Sequence, residues 1–355
     1  GSSSKKYALF DGDQCLLTIR YETTETSISR CLAINNEQTS CDAEGVEINS
    51  LADALPAALE LLRDKHLLPN TASITTVGLR VVAPGSAFAR HHILDDAAMA
   101  RLTEAAATAP LHIPAILEEL AAINSALPHA TIVGLSDSAF HQSIPEAERQ
   151  YSPRAAREHG IERFGYHGIS VAAIAAQLPT VFGALPARTV VAHIGSGVSV
   201  TGLLDGAGRS TTMGYTPVSG VLMSSRAADL DPGAVVELLT RERLAGADAH
   251  RYLQTEGGFV GLVGTADLRS ILGARRAGST EAEAAYQLFV RDIQHAIANA
   301  VITLEGIDAL VLTATAVERN SDLRADIVAG LAPLGLALAE EANHNTLSRS
   351  GIISH

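Results

Sequence analysis

The chain has no tryptophan, and aromatic residues make up only 4% of its 355 residues. Any core must therefore be mainly aliphatic, drawn from a hydrophobic content of 47%. Cysteine is scarce: Cys15, Cys31 and Cys41 are odd in number and confined to the first strands, and they imply neither a disulfide framework nor a zinc site. No apolar run approaches the roughly 18 residues of a membrane span, and no signal peptide is visible. Basic residues are outnumbered, 26 Lys and Arg against 39 Asp and Glu, for a formal charge of −13. That balance argues against nucleic acid or an anionic membrane as the main partner. An anionic substrate would have to be met by a local cluster of positive groups. The expectation is a cytoplasmic enzyme of two domains, each large enough for its own core.

Small residues are placed where backbone must approach a ligand. The stretch from Thr189 to Gly233 opens as an apolar strand, Thr189 to Ala192, and breaks into His193-Ile-Gly-Ser-Gly. It resumes as a hairpin, Val198 to Leu204 and Arg209 to Met213, around Asp205-Gly206. A small-residue turn directly after a buried strand lets backbone N–H groups cradle a phosphate. The amino-terminal Gly1-Ser-Ser-Ser stands to Asp11-Gly12 as Gly195 stands to Asp205-Gly206, again with an apolar strand between. Two such hairpins suggest a duplicated nucleotide-binding architecture with a cleft between the halves. A purification remnant with coincidental spacing is the alternative, and it leaves the first hairpin unexplained.

Between the hairpins, helical spacing runs from Asn49 to Leu62, Asp95 to Ala107 and Pro114 to Ser125. Strand patterns fall at Val77 to Val82 and Ala130 to Leu135. In the second half Tyr286, Phe289, Val290, Ile293, Ile297, Val301 and Leu304 form one apolar helical stripe, a core face. A last strand, Ile307 to Leu312, meets the turn Thr313-Ala-Thr-Ala-Val-Glu. An open α/β sheet carries its functional groups at strand carboxyl ends.

Strand ends and turns present Arg80, Asp137, His193 and Glu318, and loops add His167 and Arg226. Each has an ordinary reading. Arg80, flanked by buried-strand residues, is costly unless paired and could be a structural salt bridge. Either histidine could be a satisfied turn residue, and Asp137 a helix cap. Together, two arginines, a histidine and an aspartate beside phosphate turns suit phosphoryl transfer, which needs charge neutralisation and in-line positioning.

The segments GSSSKKYALF, LRVVAPG, APLHIP, SDSAFHQSIP, RFGYHGIS, HIGSGVSV, MGYTPVSG and SSRAADLDP, in that order, resemble the acetate kinase family. The resemblance implies an α/β chain of duplicated actin-like (RNase H-like) domains, mixed sheets flanked by helices with an interdomain cleft. It places them at 1–136 and 137–335, with 336–355 returning toward the first. It implies reversible transfer between ATP, with Mg²⁺, and acetate or propionate, in a homodimer. By the same resemblance, Arg80 and Arg226 hold the carboxylate and the transferring group. His167 stabilises the transition state and Asp137 serves the metal and assists catalysis. Val82, Leu111, Tyr166 and Pro217 line a small acyl pocket. Ser2, Ser4 and Lys6 form the first phosphate motif; His193, Gly195, Ser196 and Gly197 form the second. Asp267, Leu268 and Arg269 lie beside the adenosine, as do Thr315, Ala316 and Glu318.

The chain departs from the family pattern at several positions. The Asn before Gly1 and a carboxy-terminal Asn-Glu-Glu with a metal glutamate are missing, which reads as truncation at both ends. Ser196 replaces an asparagine, Val171 a histidine, and Thr315 and Val317 two glycines, which is expected to narrow the adenine pocket. Two alternatives follow: the same transfer with pyrophosphate or another nucleotide as donor, and a non-catalytic scaffold of the actin or chaperone kind.

Overall fold

The computed structural model describes residues 4–23, 27–34, 37–42, 48, 50–110, 112–347 and 350–354. Two compact units emerge. The first comprises Gly1–Arg80, His92–Ala106 and Leu111–Gly134; the second comprises Val81–His91, Ala107–Pro110 and Leu135–His355.

In the first unit, β1 (Ser4–Asp11), β2 (Gln14–Thr23), β3 (Ile28–Ile34) and β4 (Glu37–Asp42) pair in chain order, all antiparallel. Strand β2 buries alternate residues, Cys15, Leu17, Ile19 and Tyr21, as a sheet with one covered face requires. The Ala54–Asp64 and Ile113–Ala126 helices bury Leu55, Ala58, Leu59 and Leu62, and Ile113, Ile116, Leu120 and Ile123. From β1, Tyr7 donates its hydroxyl to Glu119 (2.9 Å), and Lys5 pairs with the same carboxylate (2.5 Å). The turn after β1 falls at Gly12-Asp13 rather than Asp11-Gly12, because Asp11 still pairs with Gln14 and Gly12 takes the positive φ (56°). Contrary to the cysteine count, a disulfide joins Cys31 to Cys41, which β3 and β4 set directly opposite each other.

Strands β5 (Thr76–Val81), β6 (His92–Ile93) and β7 (Thr131–Ser136) form a sheet in the order β5-β7-β6. Arg80 is exposed, so the expected burial cost does not arise. The pleat turns Val77, Leu79 and Val81 to one face and Arg80 to the other.

The second unit is built on β8 (Arg188–Ile194), β9 (Val198–Leu204), β10 (Ala207–Thr211) and β11 (Ala309–Thr313), in the order β10-β9-β8-β11. Strands β8 and β11 are parallel and the other pairs antiparallel, so the sheet is mixed. Strand β10 begins two residues before the sequence reading. Asp205 and Gly206 both take positive φ (50° and 79°), closing a tight turn that pairs Leu204 with Ala207. The Thr280–Thr303 helix, capped by the Ser279 side chain, lays its predicted stripe into one core with Val190, Ala192, Ile194, Val198 and Val200. The Gly168–Phe182 helix packs Val171 and Leu178 with Val191 and Leu203 in a second cluster. Both faces of this sheet are therefore covered by helix, which is why β8 and β9 read as nearly continuous apolar runs.

Candidate active site

The Gly195-Ser196-Gly197 loop joins β8 to β9, and Ile194 pairs with Val198 across it. The Gly195 N–H donates to the Gly197 carbonyl (3.1 Å), closing the loop. One residue back, His193 stands directly opposite Ser199, so their side chains share a face. A side chain at 197 would be crowded. Its Cβ would lie 3.1 and 3.3 Å from the guanidinium nitrogens of Arg226 and 3.2 Å from His167 Nε2. The bare α-carbon of Gly197 thus lets an arginine and an imidazole converge.

His167 is fixed three ways. It takes a left-handed conformation (φ 60°) at the start of the Gly168–Phe182 helix, uncommon for a side chain this size. Its N–H donates to Asp137 Oδ2 (2.8 Å), and its Nδ1 bonds Ser199 Oγ (2.9 Å). Its ring stacks on His193 at 4.1 Å with 23° between planes, and His193 Nδ1 bonds Ser170 Oγ (3.0 Å). Two imidazoles are therefore oriented through Nδ1 by two serines.

Asp137, at the end of β7, is 2% exposed. Its N–H donates to the Val81 carbonyl (2.9 Å), and its own carbonyl accepts from Gly168 N (2.8 Å). Carbonyl and carboxylate together satisfy the first N–H groups of the helix that His167 opens, so Asp137 caps that helix rather than the Ala139–Ser143 helical turn directly after its strand, whose N-cap is Ser138.

Arg226 sits in a loop without regular structure, held by main-chain hydrogen bonds on both sides. Ala227 N donates to Leu253 O (2.8 Å), Gly257 N to Ser225 O (2.9 Å), Phe259 N to Met223 O (3.0 Å) and Val260 N to Ser224 O (3.0 Å). Ser224 N reaches the Ser196 carbonyl (3.3 Å), tying this loop to the Gly-Ser-Gly loop. The guanidinium donates to Pro217 O (2.7 Å). Pro217 and Val82 are buried, and Val82 packs in the same core cluster as Tyr166, Met213 and Met223. Tyr166 donates its hydroxyl to Tyr215 O (2.6 Å), and burial pushes its phenol well above the ordinary range, so it stays a neutral donor.

His141, fully buried, bonds the Tyr166 carbonyl through Nε2 (2.8 Å), and burial lowers its pKa. His250 is lowered for the same reason. A folded pKa below the unfolded value means that the unfolded chain takes up the proton first. Stability is then full above the ordinary histidine value and is lost as pH falls through it. Between about pH 7.5 and about pH 5.5, Tm is expected to decline, and His141→Gln should flatten part of that decline. A wild-type and variant Tm that track each other across the window would count against this role.

Not every expected residue joins this constellation. Ser2 and Leu111 lie outside the described residues. Ser4 and Lys6 share one face of β1, with Lys6 exposed, and Arg80 lies on β5; all three belong to the first unit. Asp267 caps the Leu268–Arg276 helix, accepting from Arg269 N (3.0 Å) and pairing with Arg269 Nε (3.1 Å), while Leu268 packs on the core. The Thr315–Glu318 turn lies beside His193, because Thr313 pairs with it across β8 and β11. The expected narrowing by Val317 is not observed: its side chain is fully buried in the core, turned away by the helical turn. Thr315 is exposed, and Ala316 packs on the core. Glu318 Oε1 accepts from Ala314 N (2.8 Å) and Thr313 Oγ1 (3.2 Å), holding Ala314 at φ 76°. Sequence reasoning missed Ser170, Ser199 and His141. Only the symmetry of 193 and 199 about Ser196 could have exposed Ser199.

An imidazole pair and an arginine gathered on a glycine turn, at the carboxyl end of a helix-covered mixed sheet, suit an enzyme that moves an anionic group. Comparison with known proteins narrows that class. The acetokinase family model matches residues 1–355. The chain is 31% identical over 371 residues to an acetate kinase of Synechocystis sp., covering 100% of this chain and 90% of that one. A propionate kinase from Francisella tularensis superposes with a TM-score of 0.83 at 28% identity, covering 97% of this chain and 89% of the other. Porphyromonas gingivalis acetate kinase gives 0.81 at 27% identity, covering 100% and 91%. The chain belongs to the acetokinase family, actin-like in fold and phosphotransferase in activity, with a carboxyl group as acceptor.

Proposed function

We propose that this protein transfers the terminal phosphoryl group of ATP reversibly to acetate or propionate, giving the acyl phosphate and ADP. The convergence of His167 Nε2 and the Arg226 guanidinium on the bare Gly197 carries the reading. A carboxylate oxygen forms the new bond to phosphorus as the bond to the ADP oxygen breaks. Arg226 neutralises the anions, and His167 donates toward the equatorial oxygens, its ring held by Ser199 and His193. His193 and the Gly195-Ser196-Gly197 loop hold phosphate, and Ser4 and Lys6 supply a second phosphate motif. Arg80 steers the carboxylate. Val82, Tyr166 and Pro217 line an acyl pocket suited to a short chain, the discrimination per methylene being about 1–3 kcal/mol. Thr315, Ala316 and Glu318 shape the adenosine side, and Glu318 does so by bracing its own turn.

A magnesium ion fits the donor chemistry. Asp137 is a buried carboxylate in the site, and Mg²⁺ is commonly held by one or two carboxylates together with substrate phosphates and water. Asp137 would hold it, and the ion supplies charge neutralisation on the phosphates when bound. Membership of an enzyme family removes the support for a non-catalytic scaffold. We further propose a homodimer located in the cytoplasm, where both substrates are at hand.

The test traps acyl phosphate as hydroxamate, with acetate, propionate and butyrate offered against ATP, GTP and pyrophosphate. Product with ATP and the two shorter acids, abolished by chelating divalent metal, is the expected outcome. Product with pyrophosphate alone would reassign the donor.

A further inference from the structure

The Gly246–Thr255 helix buries a single side chain, and it is a glutamine. Gln254 is 1% exposed, and among the described residues neither its Oε1 nor its Nε2 has a hydrogen-bond partner. An apolar residue of similar size would fill that position without the desolvation cost of two unmet polar atoms. The location gives the amide its meaning. Ser225 Oγ donates to the Gln254 carbonyl (2.9 Å), and Leu253 O accepts from Ala227 N (2.8 Å). The turn that carries Gln254 is therefore bonded to the residues on either side of Arg226. That loop has no helix or strand of its own, and Ala228 within it is held at φ 61°.

We propose that Gln254 is a positioning residue for Arg226, its buried amide satisfied only when the loop shifts to bring the guanidinium onto the transferring phosphoryl group. An acceptor and a donor left unmet in one arrangement of the loop, and met in the other, favour the second. The interaction is then made in the transition state and not in the ground state. Its removal lowers kcat and leaves KM unchanged. The inference rests on the role proposed above for Arg226.

Gln254→Met keeps the length of the side chain and removes its hydrogen bonding. The expected result is a Tm equal to or above wild type, kcat lowered by about tenfold, and KM for nucleotide and carboxylate within about twofold. In an Arg226→Lys background the same substitution should change kcat by less than about twofold, since the group it positions is gone. Gln254→Leu is read in the same way should the methionine variant misfold. Wild-type kcat in a folded Gln254 variant overturns the proposal. So does an undiminished loss in the Arg226→Lys background. Near-wild-type turnover in Arg226→Lys alone would instead overturn the parent reading of Arg226, and the proposal with it.

Discussion

Arg226→Ala lowers turnover with ATP and acetate by several orders of magnitude, on the order of 10³-fold or more, while the variant unfolds at the wild-type temperature. The two halves of this expectation have separate origins. The loop keeps its place through main-chain hydrogen bonds, given by Ala227 to the Leu253 carbonyl and received from Gly257, Phe259 and Val260, none of which involves the arginine side chain. The guanidinium's tethers to this part of the fold are modest, a bond to the Pro217 carbonyl and a long one to Met223 Sδ. Its chemical contribution is larger. It meets His167 Nε2 beside Gly197, and in the role proposed above it neutralises charge on the transferring group there. Steady-state kinetics and a thermal scan on the same preparation check both halves. Turnover within a few-fold of wild type would remove Arg226 from the mechanism.

Gly258→Ala attacks the same loop from below and should cost both stability and activity. Gly258 takes φ 56°, and a Cβ there would lie 2.1 Å from the Met223 carbonyl oxygen and 3.1 Å from that of Arg226. Both neighbours are backbone, so no side chain can swing aside. The loop must retreat, weakening the Phe259–Met223 hydrogen bond. A loss of about 2–4 kcal/mol is expected, seen as a Tm lowered by roughly 5–10 °C. Gly264→Ala, at the other end of the same short helix, is the control. Gly264 also has positive φ (73°), but nothing lies within 4 Å of its added Cβ. It should cost only the conformational penalty of about 1 kcal/mol. Equal losses in the two variants would show that crowding at Met223 is unimportant.

What was legible in the sequence follows from which physics acts locally. The Asp205-Gly206 turn was readable because two adjacent residues must take positive φ, and those types tolerate it. The helical stripe from Tyr286 to Val301 was readable because one periodicity covers the whole helix. Arg80 was misread because flanking apolar residues were taken as burial of everything between them, whereas a pleated strand alternates. Val317 was misread because a single helical turn at Thr315–Glu318 decides which side chain enters the core. In the site, His167, His193, Asp137 and Arg226 were found through motifs. Their partners Ser170 and Ser199 were not, since a serine acquires a role only when strand register or a helix start brings it to an imidazole. Gln254 gave no local signal at all, because its interest lies in bonds that the fold leaves unmade.

The His193–Ser199 register bears on how this chain can vary in length. Side chains alternate along β8 and β9, so one residue inserted or deleted between Gly195 and Gly197 would slide one strand against the other and move Ser199 to the opposite face. Both imidazoles would lose their alignment at once, with no residue of the site altered. At the far end of β9, the Asp205-Gly206 turn joins β9 to β10 and lies outside that pairing. An insertion there bears on the β9–β10 register and leaves the His193–Ser199 pair in place. Strand β9 thus has one end whose loop length leaves the site alone and another whose residue count decides where Ser199 stands against His193.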